Sequence, residues 1–443
     1  MTIGSLSTTY VVATAHLLLS LAAIALTRYP VITTFHVVLA SHALGFGVRP
    51  ILAALAGGYT LYPVALGPEA YNRGLMYELV FILSYVLGYM LFRRRIKGPI
   101  AIHVNTTHIT RAYHWSTVVG LASVLVIHLL SRGTWLPTAR SSSITAAVPF
   151  GKLLFPLAVI PLSISIPLAY LVWQQGGKAR AILPLTLGLS LVLLSLLYQR
   201  SFILHGFVLV LFFYERFRYK ERMRLGYARA AAVAVFLIVL LGVLRPVTVT
   251  LLQQHRAVEQ HAADNTLLGA IQSFLLFSPN FDSPDVFSVA IQYLEGNKPL
   301  LGKTFLAVPL RFTTPNLRHA LGIGTATDTL NVFYWGDKYW TTRFGFAVGL
   351  PQELVINFGA VLLILGFIPG MATAMVDRWI WGLKYIRVSS VYALGAAFFA
   401  WGFTGDIAGT VQWGVAYLLL ASAFNLVARV RLSSRSNCGA MSR

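Results

Sequence analysis

The chain has 443 residues, of which 57% are hydrophobic and only 11% are charged. A soluble domain contains about 25% charged residues, so this composition excludes a soluble enzyme, a nucleic-acid-binding domain and a disordered chain. The formal charge of +21 first calls for a topological explanation, and the single cysteine, Cys438, excludes a disulfide framework.

Long apolar runs predict a polytopic, all-α membrane protein, because a helix needs about 20 apolar residues to cross a bilayer. About eleven spans are predicted, near residues 9–27, 31–57, 74–92, 113–131, 153–174, 181–198, 201–215, 230–252, 353–375, 388–403 and 407–428. The second span contains a potential break at Gly45–Pro50. We predict three segments: membrane helices over 1–245, a large loop over 246–352, and membrane helices with a basic tail over 353–443.

Basic clusters after alternate spans predict the orientation. They lie at 93–97, 178–180, 215–229, 378–387 and 429–443. One orientation places all five on the cytoplasmic face, as the positive-inside rule requires. The same orientation places the N-terminus and the 246–352 loop outside. A loop of about a hundred residues is uncommon unless it has a function, so we expect the functional site there.

Arginines that face outward oppose the positive-inside rule and therefore suggest a role. Arg200 lies between the sixth and seventh predicted spans, and Arg49 precedes Pro50 within the second. A guanidinium at the membrane surface can bind a phosphate with two hydrogen bonds. The alternative for Arg200 is a side chain that reaches the lipid headgroups, and for Arg49 a pairing with Glu69 or Glu78 at a helix break.

The loop segment from Lys298 to Gly324 alternates basic and apolar residues. Its basic side chains suit a lipid-linked pyrophosphate, and its apolar residues can anchor short helices on the membrane. A solvated amphipathic loop is the alternative. The basic residues of this segment that we expect at the site are Lys303, Arg311, Arg318 and His319, with Arg343 further along the loop.

Glu353 begins the ninth predicted span, and Gly349, Glu353 and Asn357 lie four residues apart, on one helix face. A buried carboxyl group there is expected to have a raised pKa, which suits a general base. The alternative is a carboxylate stabilised by the helix N-terminus or by an arginine. Asp282 and Asp285 flank Pro284, and Asp282 suits a turn or a helix N-cap.

The order of these features resembles the Wzy-type O-antigen (oligosaccharide repeat unit) polymerases of bacterial inner membranes. The matching elements, in chain order, are Arg49-Pro50, Gly88-Tyr89, Arg200-Ser201, Asp282 to Phe287, Pro309 with Arg311, Pro315 with Arg318, and Glu353 with Asn357, Phe358 and Gly359. They extend over nearly the whole chain, although each motif is short.

The resemblance implies a membrane glycosyltransferase that polymerises undecaprenyl-pyrophosphate-linked repeat units at the periplasmic face. Arg200, Arg311 and Glu353 would be catalytic, and Arg49, Lys303, Arg318, His319, Arg343 and Asn357 would bind substrate. No cofactor or metal is expected, because arginines can stabilise the leaving pyrophosphate. The implied partners are the lipid-linked glycans that serve as donor and acceptor, membrane lipids, and the chain-length regulator and flippase of the same pathway; no nucleic acid is expected.

Two other functions remain open. An O-antigen ligase uses the same donor and differs in its acceptor. A polysaccharide-precursor transporter or flippase predicts mid-membrane charges, broken helices in matched halves and short loops, whereas this sequence has one dominant loop and no visible repeat.

Overall fold

The computed structural model describes residues 3–27, 33–55, 68–93, 103–130, 151–174, 182–196, 200–218, 283–310, 321–336, 347–402 and 406–429. This part of the chain is helical apart from two short strands. Its first helices are α1 (Ile3–Thr27), α2 (Thr34–His42), a π-helix (Ala43–Val48), α3 (Arg49–Leu55) and α4 (Pro68–Phe92), followed by strand β1 (His103–Val104) and helices α5 (Thr106–Leu130), α6 (Gly151–Trp173), α7 (Ile182–Leu196) and α8 (Arg200–Arg218).

The remaining elements follow residue 282. They are α9 (Ser283–Gly296), a 3-10 turn (Lys303–Leu306), α10 (Ala307–Leu310), α11 (Ala326–Trp335), α12 (Leu350–Phe358), a second 3-10 turn (Ala360–Gly366), α13 (Phe367–Gly382), strand β2 (Tyr385–Ile386), α14 (Val388–Gly402) and α15 (Ile407–Arg429).

The described residues include seven helical segments long and apolar enough to cross a membrane. They are Leu6–Thr27, Thr34–Leu55, Pro68–Phe92, Thr106–Leu130, Leu153–Trp173, Leu363–Gly382 and Ile407–Val427. The chain is therefore a multi-pass membrane protein of the all-α class. The total of eleven spans stays a prediction, and the span expected at 230–252 lies outside the described residues.

The second span contains the π-helix just before Pro50. A proline lacks the N–H of a regular helix turn and collides with the carbonyl group four residues earlier. The wider π turn accommodates that collision, so the helix widens over Ala43–Val48 and continues as α3 to Leu55.

The chain divides into two compact units, each discontinuous in sequence. Unit 1 comprises Met1–Pro99, Glu215–Gly382 and Ala397–Trp413, and unit 2 comprises Ile100–Tyr214, Leu383–Ala396 and Gly414–Arg443. The three sequence segments predicted above concern membrane topology, and they stay a prediction.

In unit 1, α4 packs against α1 and α13, and the short helices α9 and α12 share an apolar core with it. Phe287 of α9, Val355 of α12 and Tyr71 of α4 are buried together in that core. Gly74 allows α9 to approach α4, because a Cβ atom at this position would lie 3.2 Å from the Cβ of Phe287.

In unit 2, α5 packs along α6, and hydroxyl pairs connect its buried helices. Ser116 lies 2.8 Å from the Tyr392 hydroxyl, and Tyr113 lies 2.6 Å from Thr186. Strands β1 and β2 pair in parallel, with His103 opposite Tyr385. These hydroxyl contacts satisfy polar groups that lipid cannot.

Candidate functional site

Helix α12 places Glu353 and Asn357 within unit 1. Gly349 is its N-cap in an extended conformation, and Pro351 lies in the first turn, where its missing N–H costs nothing. The helix ends at Gly359, with φ 78° and ψ −179°, a conformation that essentially only glycine adopts. The prediction that Glu353 begins a continuous span over 353–375 is therefore wrong, because Gly359 separates α12 from the candidate span Leu363–Gly382.

The Glu353 carboxylate is completely buried and accepts two hydrogen bonds. The Thr304 hydroxyl donates to Oε1 at 2.6 Å, and the backbone N–H of Ile407 donates to Oε2 at 2.8 Å. The carboxylate therefore connects the 3-10 turn at Lys303 to the first residue of α15.

Asn357 attaches the 300–304 segment to α12. Its side-chain carbonyl accepts from the Gly302 N–H at 3.0 Å, and its amide donates to the Thr304 hydroxyl at 2.7 Å. Leu301 and Gly302 both have positive φ, and the Leu301 side chain is 81% exposed. A non-glycine residue in this conformation is uncommon and is held here by its surroundings.

Lys303 follows this turn and its side chain is exposed. It is the neighbour in sequence of Thr304, whose hydroxyl contacts both Glu353 and Asn357. The exposed ammonium group of Lys303 therefore belongs to the residue next to Thr304, which contacts the buried Glu353 carboxylate.

Burial raises the pKa of Glu353 from 4.5 to about 7. The neighbouring Asp406 carboxylate raises the pKa further, while the hydrogen bonds from Ile407 and Thr304 oppose the increase. The carboxyl group therefore exchanges its proton near neutral pH, as was expected from the sequence.

The raised pKa predicts a pH-dependent stability. The folded chain binds the Glu353 proton more tightly than the unfolded chain, so this proton stabilises the fold fully below pH 4.5, and the stabilisation is lost as pH rises through about 7. Relative to Glu353→Gln, the wild-type free energy of unfolding should fall by about 3 kcal/mol over this interval. Denaturant titrations of both proteins at pH 4.5 and 8 measure the difference, and parallel pH profiles would contradict it.

Arg49 forms a buried ion pair with Asp285. Arg49 begins α3 and Asp285 lies in the first turn of α9, and their side chains are 1% and 0% exposed. The carboxylate also lies where a helix N-terminus favours negative charge. The expected alternative partners of Arg49, Glu69 and Glu78, are therefore incorrect, because the acidic partner comes from the segment after residue 282.

Several predicted site residues lie outside the described part of the structure. Arg200 begins α8, but its side chain is not among the described ones. The predicted site residues that lie wholly outside the described ones are Arg311, Arg318, His319 and Arg343, and Asp282, the expected turn or N-cap residue, lies outside them as well. Of the predicted site, the structure brings together Glu353, Asn357 and the segment containing Lys303, and it pairs Arg49 separately with Asp285. The catalytic and binding roles assigned from the sequence stay predictions.

Sequence reasoning missed Thr304, and it gave Asp285 no partner. Thr304 has no local signal, because its partners lie 49 and 53 residues away along the chain. The sequence contained a signal for Asp285, since an acidic residue directly after Ser-Pro suits the first turn of a helix. Comparison of the chain with protein-family models, with curated proteins and with solved structures finds no match.

Proposed function

We propose that this membrane protein is a glycosyltransferase that polymerises undecaprenyl-pyrophosphate-linked oligosaccharide repeat units at the periplasmic face of a bacterial inner membrane. The proposal takes its substrate class and location from the resemblance of the motif order. The observation on which its chemistry depends is the buried Glu353 carboxyl group, whose pKa lies near 7, beside a turn that bears Lys303.

In the proposed reaction, an acceptor sugar hydroxyl attacks the anomeric carbon of the donor glycan. The bond between that carbon and the pyrophosphate oxygen breaks, and the electron pair leaves with the lipid pyrophosphate. The hydroxyl proton passes to ionised Glu353. A base with a pKa near the working pH suits this step, because it is ionised in a large fraction of molecules yet still binds the proton.

The structure constrains how an acceptor would reach Glu353. Thr304 and the backbone of Ile407 occupy its two oxygen atoms, and the side chain is completely buried. Catalysis therefore requires the 300–306 segment to move so that the acceptor hydroxyl replaces that of Thr304. In this scheme, Lys303 on the same segment meets the leaving pyrophosphate, together with the arginines proposed from the sequence, Arg200 and Arg311.

Glu353→Gln is expected to lower the turnover of polymerisation by about a hundredfold or more, the usual scale for loss of a general base. The amide can keep both contacts, since its oxygen can accept from Ile407 and its NH₂ can donate to the Thr304 hydroxyl. The assay is chain extension of a polyprenyl-pyrophosphate-linked repeat unit by purified protein in lipid nanodiscs.

Thr304→Val is the matched control for this experiment. It removes the hydroxyl that contacts Oε1 but keeps the carboxylate, so a general base should continue to function in it. Near wild-type turnover in the Gln variant would refute the base role of Glu353. If the wild-type protein forms no polymer but transfers the glycan to a lipid A core acceptor, its function is that of the ligase and not of the polymerase.

A further inference from the structure

Three ionisable side chains form a continuous chain of contacts inside the membrane-spanning part of unit 1. His16 of α1, His42 of α2 and Glu78 of α4 are 0%, 6% and 3% exposed. His16 Nε2 lies 2.8 Å from the Leu75 carbonyl oxygen, His16 Nδ1 lies 2.8 Å from His42 Nε2, and His42 Nδ1 lies 3.3 Å from Glu78 Oε1. Phe46 stacks on His42, with the ring centroids 4.9 Å apart.

Each of the three contacts among Leu75, His16, His42 and Glu78 requires one hydrogen between its two atoms. The Leu75 carbonyl only accepts, so His16 Nε2 must have a hydrogen. Each of the other two contacts brings together atoms with lone pairs, so each also needs one hydrogen between its partners. The three contacts therefore need three hydrogens.

The charge states that these three side chains ordinarily have at neutral pH supply only two of the three hydrogens. Two neutral imidazoles contribute one hydrogen each, and an ionised Glu78 contributes none. If His42 holds its hydrogen on Nε2, its Nδ1 lone pair faces the carboxylate; if on Nδ1, two nitrogen lone pairs face each other 2.8 Å apart. Either arrangement places repelling atoms in contact within an apolar interior, where the repulsion is weakly screened.

We propose that His16, His42 and Glu78 form a proton-binding site that holds one proton more than ionised Glu78 and two neutral imidazoles would hold. In the first arrangement the added proton lies on Glu78. In the second it lies on His42 Nδ1, and His42 keeps its Nε2 hydrogen. In the third it lies on His42 Nδ1, and the Nε2 hydrogen has moved to His16 Nδ1. All three arrangements have three hydrogens and no net charge. The chain of transfers ends at His16, because the Leu75 carbonyl cannot take up a proton.

Glu78 Oε2 provides a second oxygen on which the added proton can be held. This atom is buried and has no hydrogen-bond partner among the residues that the structure describes. A carboxyl group with one engaged and one unengaged oxygen can receive a proton on Oε2 and deliver it through Oε1 by rotation. Ionisable groups buried within membrane spans are costly to maintain, which favours a functional explanation for them.

Several charged and titratable groups on the elements packed around this site have partners of their own. Arg49 at the start of α3 pairs with Asp285 of α9, and Arg73 of α4 pairs with Glu295 of α9. Asp377 of α13 accepts hydrogen bonds from Thr34 and Tyr89, and His36 of α2 contacts Thr27 and Thr33. In the proposal, the bound proton supplies the charge that neutralises Glu78.

Nuclear magnetic resonance of the full chain in lipid bilayers tests the proton count directly. With ¹³C-labelled glutamate and ¹⁵N-labelled histidine, and Glu78→Gln, His16→Gln and His42→Gln to assign the signals, we expect one of two results at pH 7. Either Glu78 gives the carbon shift of a protonated acid, or one of the two rings is an imidazolium. An ionised Glu78 together with two neutral rings would overturn the proposal.

Thermal stability provides a second test. A glutamine at position 78 can donate an N–H to His42 Nδ1 and supply the third hydrogen permanently. The melting temperature of Glu78→Gln should therefore equal that of the wild type at neutral pH and exceed it at alkaline pH, where the wild type loses its proton. Glu69→Gln, an exposed change on the same helix, should follow the wild type. A Gln variant that melts as low as Glu78→Leu at neutral pH would show that the carboxylate is ionised.

Discussion

Asp285→Ala is expected to lower the free energy of unfolding by about 3–5 kcal/mol, the cost of removing one partner from a buried ion pair. Arg49 is 1% exposed. In the variant, its guanidinium would remain in the apolar core of unit 1 without the Asp285 carboxylate that pairs with it. Denaturant titration in mixed micelles measures the change.

A second pair between α4 and α9 provides the matched control. Arg73 and Glu295 are 41% and 51% exposed, and such surface pairs contribute at most about 1 kcal/mol. Glu295→Ala should therefore have little effect. The double variant Arg49→Met with Asp285→Leu should regain most of the lost stability, because replacing both charges leaves none buried. Equal effects of Asp285→Ala and Glu295→Ala would contradict the energetic distinction between the two pairs.

Gly370→Ala is expected to destabilise the chain by about 3 kcal/mol, the upper end of the usual cost of overpacking. A Cβ atom at Gly370 would overlap the backbone carbonyl oxygen of Tyr85, and one at Gly88 would overlap that of Phe367. Glycines on both helices thus allow α4 and α13 to touch along their backbones, as in other closely packed membrane helices. Neither backbone can rotate away as a side chain does, so the helices must separate.

Separation of α4 from α13 would also break hydrogen bonds across the interface. The Tyr85 hydroxyl donates to Thr373 and the Tyr89 hydroxyl donates to Asp377, each at 3.1 Å. The control is Gly382→Ala on the same helix, where an added Cβ meets nothing within 4 Å and where alanine should be neutral or slightly stabilising. Thermal unfolding in detergent compares the two variants, and a Gly370→Ala protein as stable as the control would exclude backbone contact.

The positions of several membrane helices were predictable from the sequence. The apolar runs predicted at 153–174 and 407–428 correspond to helices Gly151–Trp173 and Ile407–Arg429. Whether a segment can span the membrane depends on the hydropathy of about 20 consecutive residues, so it can be read from the local sequence. The raised pKa of Glu353 was also predictable, because a carboxylate next to an apolar run is expected to be desolvated.

Only the tertiary structure decided which polar groups meet. Arg49 pairs with Asp285, 236 residues away, whereas the sequence favoured the nearer Glu69 and Glu78. Glu78 instead lies against His42, and the partners of Glu353 come from two separate segments. In a membrane-embedded chain the few polar groups must form hydrogen bonds or ion pairs with one another, because the membrane interior has no water to bond them. Hydropathy therefore determined which segments can enter the membrane, and helix packing over long sequence separations determined the partner of each buried polar group.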